Sequence, residues 1–132
     1  MIDQSARAEA FRALHHRPGG FIVPNPWDIG SARMLAGLGF EALATTSAGF
    51  AATLGQGDYG ITRAEKLDHC RALAEATSLP LSADLENGCG DEAETCAETI
   101  RLGAQAGLVG GSIEDFTGDS NSPQYVIAHA AD

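Results

Sequence analysis

The chain has 132 residues, enough for one domain around one core, and 18 acidic against 8 basic residues leave a formal net charge of −10. Such a charge repels nucleic-acid phosphates and anionic membrane surfaces, so neither is an expected partner. With 44% hydrophobic but only 6% aromatic residues, the composition is that of a folded domain whose core is built from small side chains.

In chain order, residues 3–16 are predicted as an amphipathic helix with Ile2, Ala6, Ala10, Phe11 and Leu14 along one side, stopped by "RPGG". "FIVPN" reads as a first strand, although Pro24 removes one donor from its ladder. Asp28 is placed to cap a helix running to Leu38, with Ile29, Ala32, Leu35 and Ala36 as its apolar stripe and Gly39 as its stop. "EALATTS" is a second strand and "AGFAATLGQGDYG" a glycine-rich loop. Thr62 and Glu65 form a capping box for a helix to about Thr77, with Ala64, Leu67, Cys70 and Ala74 facing inward. "LPLSADLE" is the third strand. A helix from about Asp91, its expected cap, to Ala106 follows, with Ala93, Ala97, Ile100 and Ala104 on its buried face. "GLVGGSIED" is the fourth strand, and "SPQYVIAHAAD" opens a last helix.

A helix followed by four β–α units in one domain, residues 1–132, predicts an α/β fold with a parallel sheet and right-handed crossovers. No leader peptide or membrane span is visible at the amino terminus, which makes the cytoplasm the expected compartment. Cys70, Cys89 and Cys96 form no C-x-x-C pair, and His15, His16, His69 and His129 show no ligand spacing, so both sets read as structural or surface residues.

In a parallel α/β fold the carboxyl ends of the strands converge on one face. Thr45, Thr46 and Ser47 end the second strand, Asp84 and Glu86 the third, Glu114 and Asp115 the fourth. Asp84 and Glu86 share strand parity and are expected on the same side. Carboxylates gathered there repel one another unless protons or a cation compensate them, and a hard divalent ion such as Mg²⁺ suits one or two of them plus water. Ser47 has no histidine at a strand end to activate it and reads better as part of an anion-binding loop. A competing signal is "GQGDYG" (Gly55, Gly57, Gly60), formally G-x-G-x-x-G, yet it does not directly follow a predicted strand as a dinucleotide site requires. No P-loop and no G-x-S-x-G elbow is present.

The stretches "PNPWD", "TTSAGFAATLGQGD", "SADLENGCGD" and "GGSIEDFTGD" together resemble the phosphoenolpyruvate mutase and isocitrate lyase superfamily, in order and spacing, along nearly the whole chain. The resemblance implies a TIM-type (β/α)₈ barrel of which this chain is the first half, with Mg²⁺ (or Mn²⁺) and a small anionic 2-oxo acid or phosphonate as substrate. It implies Asp84 as the metal-binding acid and Glu86 and Glu114 in the acidic metal shell, largely through waters. Ser47, Ala48 and Gly49, with Thr45 beside them, match the stretch that receives the substrate carboxylate. Asp58 matches an acid reaching the metal site, and Asp58 and Glu114 are the expected catalytic pair.

Two departures qualify that expectation. The family's lyases carry K-[KR]-C-G-H after the fourth strand, where this chain has "FTGDSNSPQY"; isocitrate or methylisocitrate cleavage is therefore disfavoured. Asn121 and Ser122 echo the K-x-N-S of the mutases without its lysine, so a decarboxylase-like or mutase-like activity fits what is left. A whole barrel takes about 250 residues, so the chain reads as an amino-terminal half. Its open edges predict a homo-oligomer, or a catalytically silent fragment that needs a complementary half.

Overall fold

The computed structural model describes residues 3–130. Their elements are α1 (Gln4–His16), α2 (Ile29–Gly37), β1 (Leu43–Ala44), α3 (Ser47–Thr53), α4 (Arg63–Ala76), β2 (Leu81–Asp84), α5 (Ala93–Gln105), β3 (Gly110–Ser112) and α6 (Ile127–Ala130). The strands form one parallel sheet in sequential order, with Leu43 opposite Leu81 and Ser82 opposite Gly110. This is the expected α/β architecture, with the carboxyl ends of all three strands along one rim. Among the described residues no helix is long and apolar enough to cross a membrane.

Strand β2 alternates buried Leu81 and Ala83 with half-buried Ser82 and Asp84, so one face meets the helices and the other lines the inner side. Leu43, Leu81 and Leu85 pack with Cys70, Leu73 and Ala74 of α4, and with Ala32, Ala106 and Leu108, as one core. Each buried leucine contributes about 1.5–3 kcal/mol. Burial pushes the Cys70 thiol up to about 12, against the pull of Lys66, so it packs as an inert hydrophobe.

Several expectations need correction. "FIVPN" is not a strand: it touches the sheet through Ala44 N donating to Pro24 O at 3.2 Å, and Pro24 and Pro26 have no N–H to extend a ladder. The supposed loop after the second strand begins with α3, because Thr46 caps it through Gly49 N and an alanine-rich turn follows. Helix α1 buries Leu14, while Ala6 and Ala10 are exposed and Ile2 lies outside the described residues. Its Arg7 instead turns inward and donates to Ala74 O and Thr77 O at 2.8 Å each, closing the carboxyl end of α4. Ile29, Ala64 and the whole expected inner face of α5 (Ala93, Ala97, Ile100, Ala104) are exposed; α5 buries Thr99 and Gly103. Ile100 and Ala104 line an open apolar groove of about 350 Å³ beside β3. The stripe exists, but nothing among the described residues covers it.

Candidate active site

The rim is organised around Asp84. Its Oδ2 accepts from Ser47 N at 2.9 Å and Ser47 Oγ at 2.6 Å, and its Oδ1 accepts from Glu86 N at 3.1 Å. Its own amide donates to Thr45 Oγ1 at 3.1 Å. Burial drives this carboxyl upward, but the Ser47 hydroxyl and amide, the Glu86 amide and the Lys66 charge outweigh it and leave Asp84 below its ordinary value. It is therefore an anion at neutral pH, fixed in orientation by the first turn of α3.

The other acids attach to this centre through distinct links. Ser47 Oγ reaches Asp58 Oδ1 at 3.4 Å. Glu114 N donates to Glu86 O at 2.8 Å, and Glu114 Oε2 accepts from Tyr59 OH at 3.1 Å. Burial and the neighbouring acids, Glu114 foremost, keep the Tyr59 phenol protonated. Tyr59 itself sits at φ +60°, a left-handed conformation that turns the residue after Asp58 toward the fourth acid. Of the three amides in Ser47, Ala48 and Gly49, the first is engaged by Asp84 and the third by Thr46, while Ala48 is exposed. Gly49 has no room for a side chain: a Cβ there would come within 2.6 Å of Thr46 and 2.7 Å of the Trp27 indole nitrogen.

Glu86 departs from the parity argument. The chain leaves β2 at Asp84, and Glu86 takes φ +52°, so its carboxylate turns under the rim and is buried against helix α4. There Lys66 Nζ lies 2.6 Å from Glu86 Oε2, with the two side chains 3% and 5% exposed. Lys66 escaped the sequence reading. Its signal was its place four residues before Cys70 and seven before Leu73, on the stripe α4 buries. Asp91 does not cap α5: Glu92 holds that position without a side-chain bond, and Asp91 accepts from Tyr125 OH at 2.5 Å. Gly55, Gly57 and Gly60 follow helix α3 and not a strand, which removes the basis for a dinucleotide site.

Past the rim lies an open cleft of about 670 Å³, bordered by Asn87, Asp91, Glu92, Glu94, Glu114 and Asp115 among others. Among the described residues no three His, Cys, Asp or Glu side chains converge as a ready metal cage. The donor set nonetheless fits Mg²⁺ in kind. It offers carboxylate oxygens only, and Glu86 Oε1 is buried without a hydrogen-bond partner. Mg²⁺ characteristically takes one or two carboxylates and keeps its remaining waters.

The parallel α/β sheet thus carries a half-buried, serine-held aspartate at its acidic rim. A sequence model of the family described as phosphoenolpyruvate phosphomutase matches residues 11–132, and the chain belongs to that family. A Burkholderia cenocepacia J2315 protein, provisionally described as a lyase/mutase, superposes with a TM-score of 0.95 at 61% identity, over 96% of this chain and 46% of that one. The 2-methylisocitrate lyase of Escherichia coli (strain K12) is 31% identical over 112 residues, 83% of this chain and 38% of the enzyme. Oxaloacetate acetylhydrolase, solved with its product oxalate, superposes with a TM-score of 0.79 at 28% identity, over 90% of this chain and 43% of that one. The chain spans less than half the length of the curated relatives it matches.

Proposed function

We propose that this chain carries the metal-binding rim of a Mg²⁺-dependent lyase or mutase acting on a small 2-oxo acid or phosphonate through a pyruvate enolate. The observation that carries the reading is Asp84, an ionised acid at a strand end whose orientation is fixed by Ser47 and Thr45. Mg²⁺, or Mn²⁺ in its place, would supply positive charge at this rim to balance the negative charge that develops in the substrate. Asp84 would hold the ion, with Glu114 contributing through waters and Glu86, turned under the rim, acting through its charge and its amide bond to Asp84. Ser47, Ala48 and Gly49 receive the substrate carboxylate at the first turn of α3, where the Ser47 and Gly49 amides are already engaged and the exposed Ala48 amide is left to meet it. Asp58 and Glu114 border the reacting group, and Tyr59 holds Glu114 in place.

"FTGDSNSPQY" lacks the K-[KR]-C-G-H loop of the lyases, which disfavours isocitrate-type cleavage and leaves mutase- or decarboxylase-type chemistry. The likeness to 2-methylisocitrate lyase makes that substrate the necessary comparison in any assay. A second reading, a half that is silent until a complementary half covers it, is favoured by the outward apolar stripe of α5.

The decisive experiment is calorimetric titration of Mg²⁺ and of oxalate, a planar mimic of the enolate. Parallel assays follow pyruvate release from oxaloacetate and 2-methylisocitrate, and pyruvate or phosphoenolpyruvate formation from phosphonopyruvate. Asp84→Ala should abolish Mg²⁺ binding and with it Mg²⁺-dependent oxalate binding. Glu86→Ala and Glu114→Ala should weaken it about 10- to 100-fold, as outer partners do. Equal and small effects from all three would reject the metal reading.

A further inference from the structure

We propose that Lys66 is a built-in counter-ion that acts through Glu86 to weaken the rim's hold on a divalent cation. It is a positioning residue, and the inference rests on the metal reading given above. Three observations carry it. The Lys66–Glu86 contact is at 2.6 Å with both side chains essentially out of solvent, so neither charge can be left to water. Lys66 Nζ makes no aligned hydrogen bond, and Glu86 Oε1 has no partner, so the pair is held by charge and leaves one carboxylate oxygen free. Glu86 is also the joint of the site: its amide donates to Asp84 Oδ1 and its carbonyl accepts from Glu114 N.

The consequence is a competition. A carboxylate buried without a cation is strongly unfavourable, and either an ammonium or a metal ion relieves it. With Lys66 present the Glu86 charge is partly compensated, so an ion arriving beside Asp84 gains less from it than it otherwise would. With Lys66 replaced by an apolar side chain of similar length, the same ion becomes the only compensation available. Packing alone makes the opposite forecast, because loosening the joint would disorder Asp84 and weaken binding.

Mn²⁺ binding, followed by the paramagnetic resonance of the free ion, separates the two in a double-mutant cycle. Lys66→Met should bind Mn²⁺ about 10- to 100-fold more tightly than the parent chain. Glu86→Gln should bind more weakly. The double variant Lys66→Met/Glu86→Gln should match Glu86→Gln within about twofold, the scatter of uncoupled changes, since Lys66 acts only through Glu86. If Lys66→Met is unfolded without metal, Mn²⁺ should restore its folded signal and raise its Tm with concentration. Lys66→Met binding no more tightly than the parent, or staying unfolded at saturating Mn²⁺, overturns the proposal. So does a double variant that binds more tightly than Glu86→Gln, or one that fails to fold. Asp84→Ala is the control: if it binds Mn²⁺ as the parent does, the metal reading itself has failed.

Discussion

His69 illustrates how one side chain couples burial to pH. Its ring stacks on Phe50 with centroids 3.7 Å apart and planes 8° from parallel, and its Nε2 is buried without a partner. Burial holds the imidazole below its ordinary value of 6.5, with Asp28 pulling weakly the other way. Below pH 6.5 the unfolded chain binds a proton that the folded chain refuses, so stability falls as pH drops toward the folded value. Thermal unfolding between about pH 7 and 5 should show this slope, and His69→Phe should flatten it. An unchanged slope would place the titration elsewhere. Gly88 is the other sensitive position: it sits at φ +78°, and a Cβ there would meet the Cys96 side chain and lie 2.9 Å from Cys96 Cα. Gly88→Ala combines overpacking with a disfavoured backbone and should destabilise by about 1–3 kcal/mol or more, read from urea unfolding.

The helices that present the site depend on local signals, and those were the legible part. The Thr62–Glu65 and Asp28–Ser31 boxes are both closed in the structure, although only the first was read as a box. Thr62→Ala should lower stability by about 1 kcal/mol without moving the metal site; denaturant midpoints and Mg²⁺ titration of the same variant check both halves. Parallel strands, their order and the rim position of Asp84 also followed from alternation and spacing. What failed was long-range. An apolar stripe says that a face is buried, not that its partner is present, so Ile100 and Ala104 were placed inside and stand outside. Strand parity stops where the strand stops, so Glu86 was aimed at the rim while φ +52° turns it into the α4 packing. Lys66 was invisible because a lysine on an inward stripe counts as noise until its carboxylate, 20 positions later in sequence (86 − 66), is seen against it.

Over the whole molecule two opposed terms govern association. The apolar groove beside β3, with Leu108 and Val109 alongside Ile100, and the outer edge of β3, unpaired among the described residues, favour contact with another copy or a complementary half. The net charge of −10 opposes it. Light scattering across a dilution series should therefore show self-association that strengthens with added salt, as screening removes the repulsion. Ile100→Asp should suppress it. A species that stays monomeric at every concentration and salt level would contradict the docking reading.

The sequential strand order sets a timetable for synthesis. Leu43 finds Leu81 after 38 residues (81 − 43), and Ser82 finds Gly110 after 28 (110 − 82), so each strand meets its neighbour soon after leaving the ribosome. Helix α1 follows a different clock. Gln4 donates to Ala104 O and Leu108 O, 100 and 104 positions later. Helix α1, made before every strand, can reach α4 through Arg7, but until Leu108 has emerged the Gln4 side-chain amide does not have both of its acceptors.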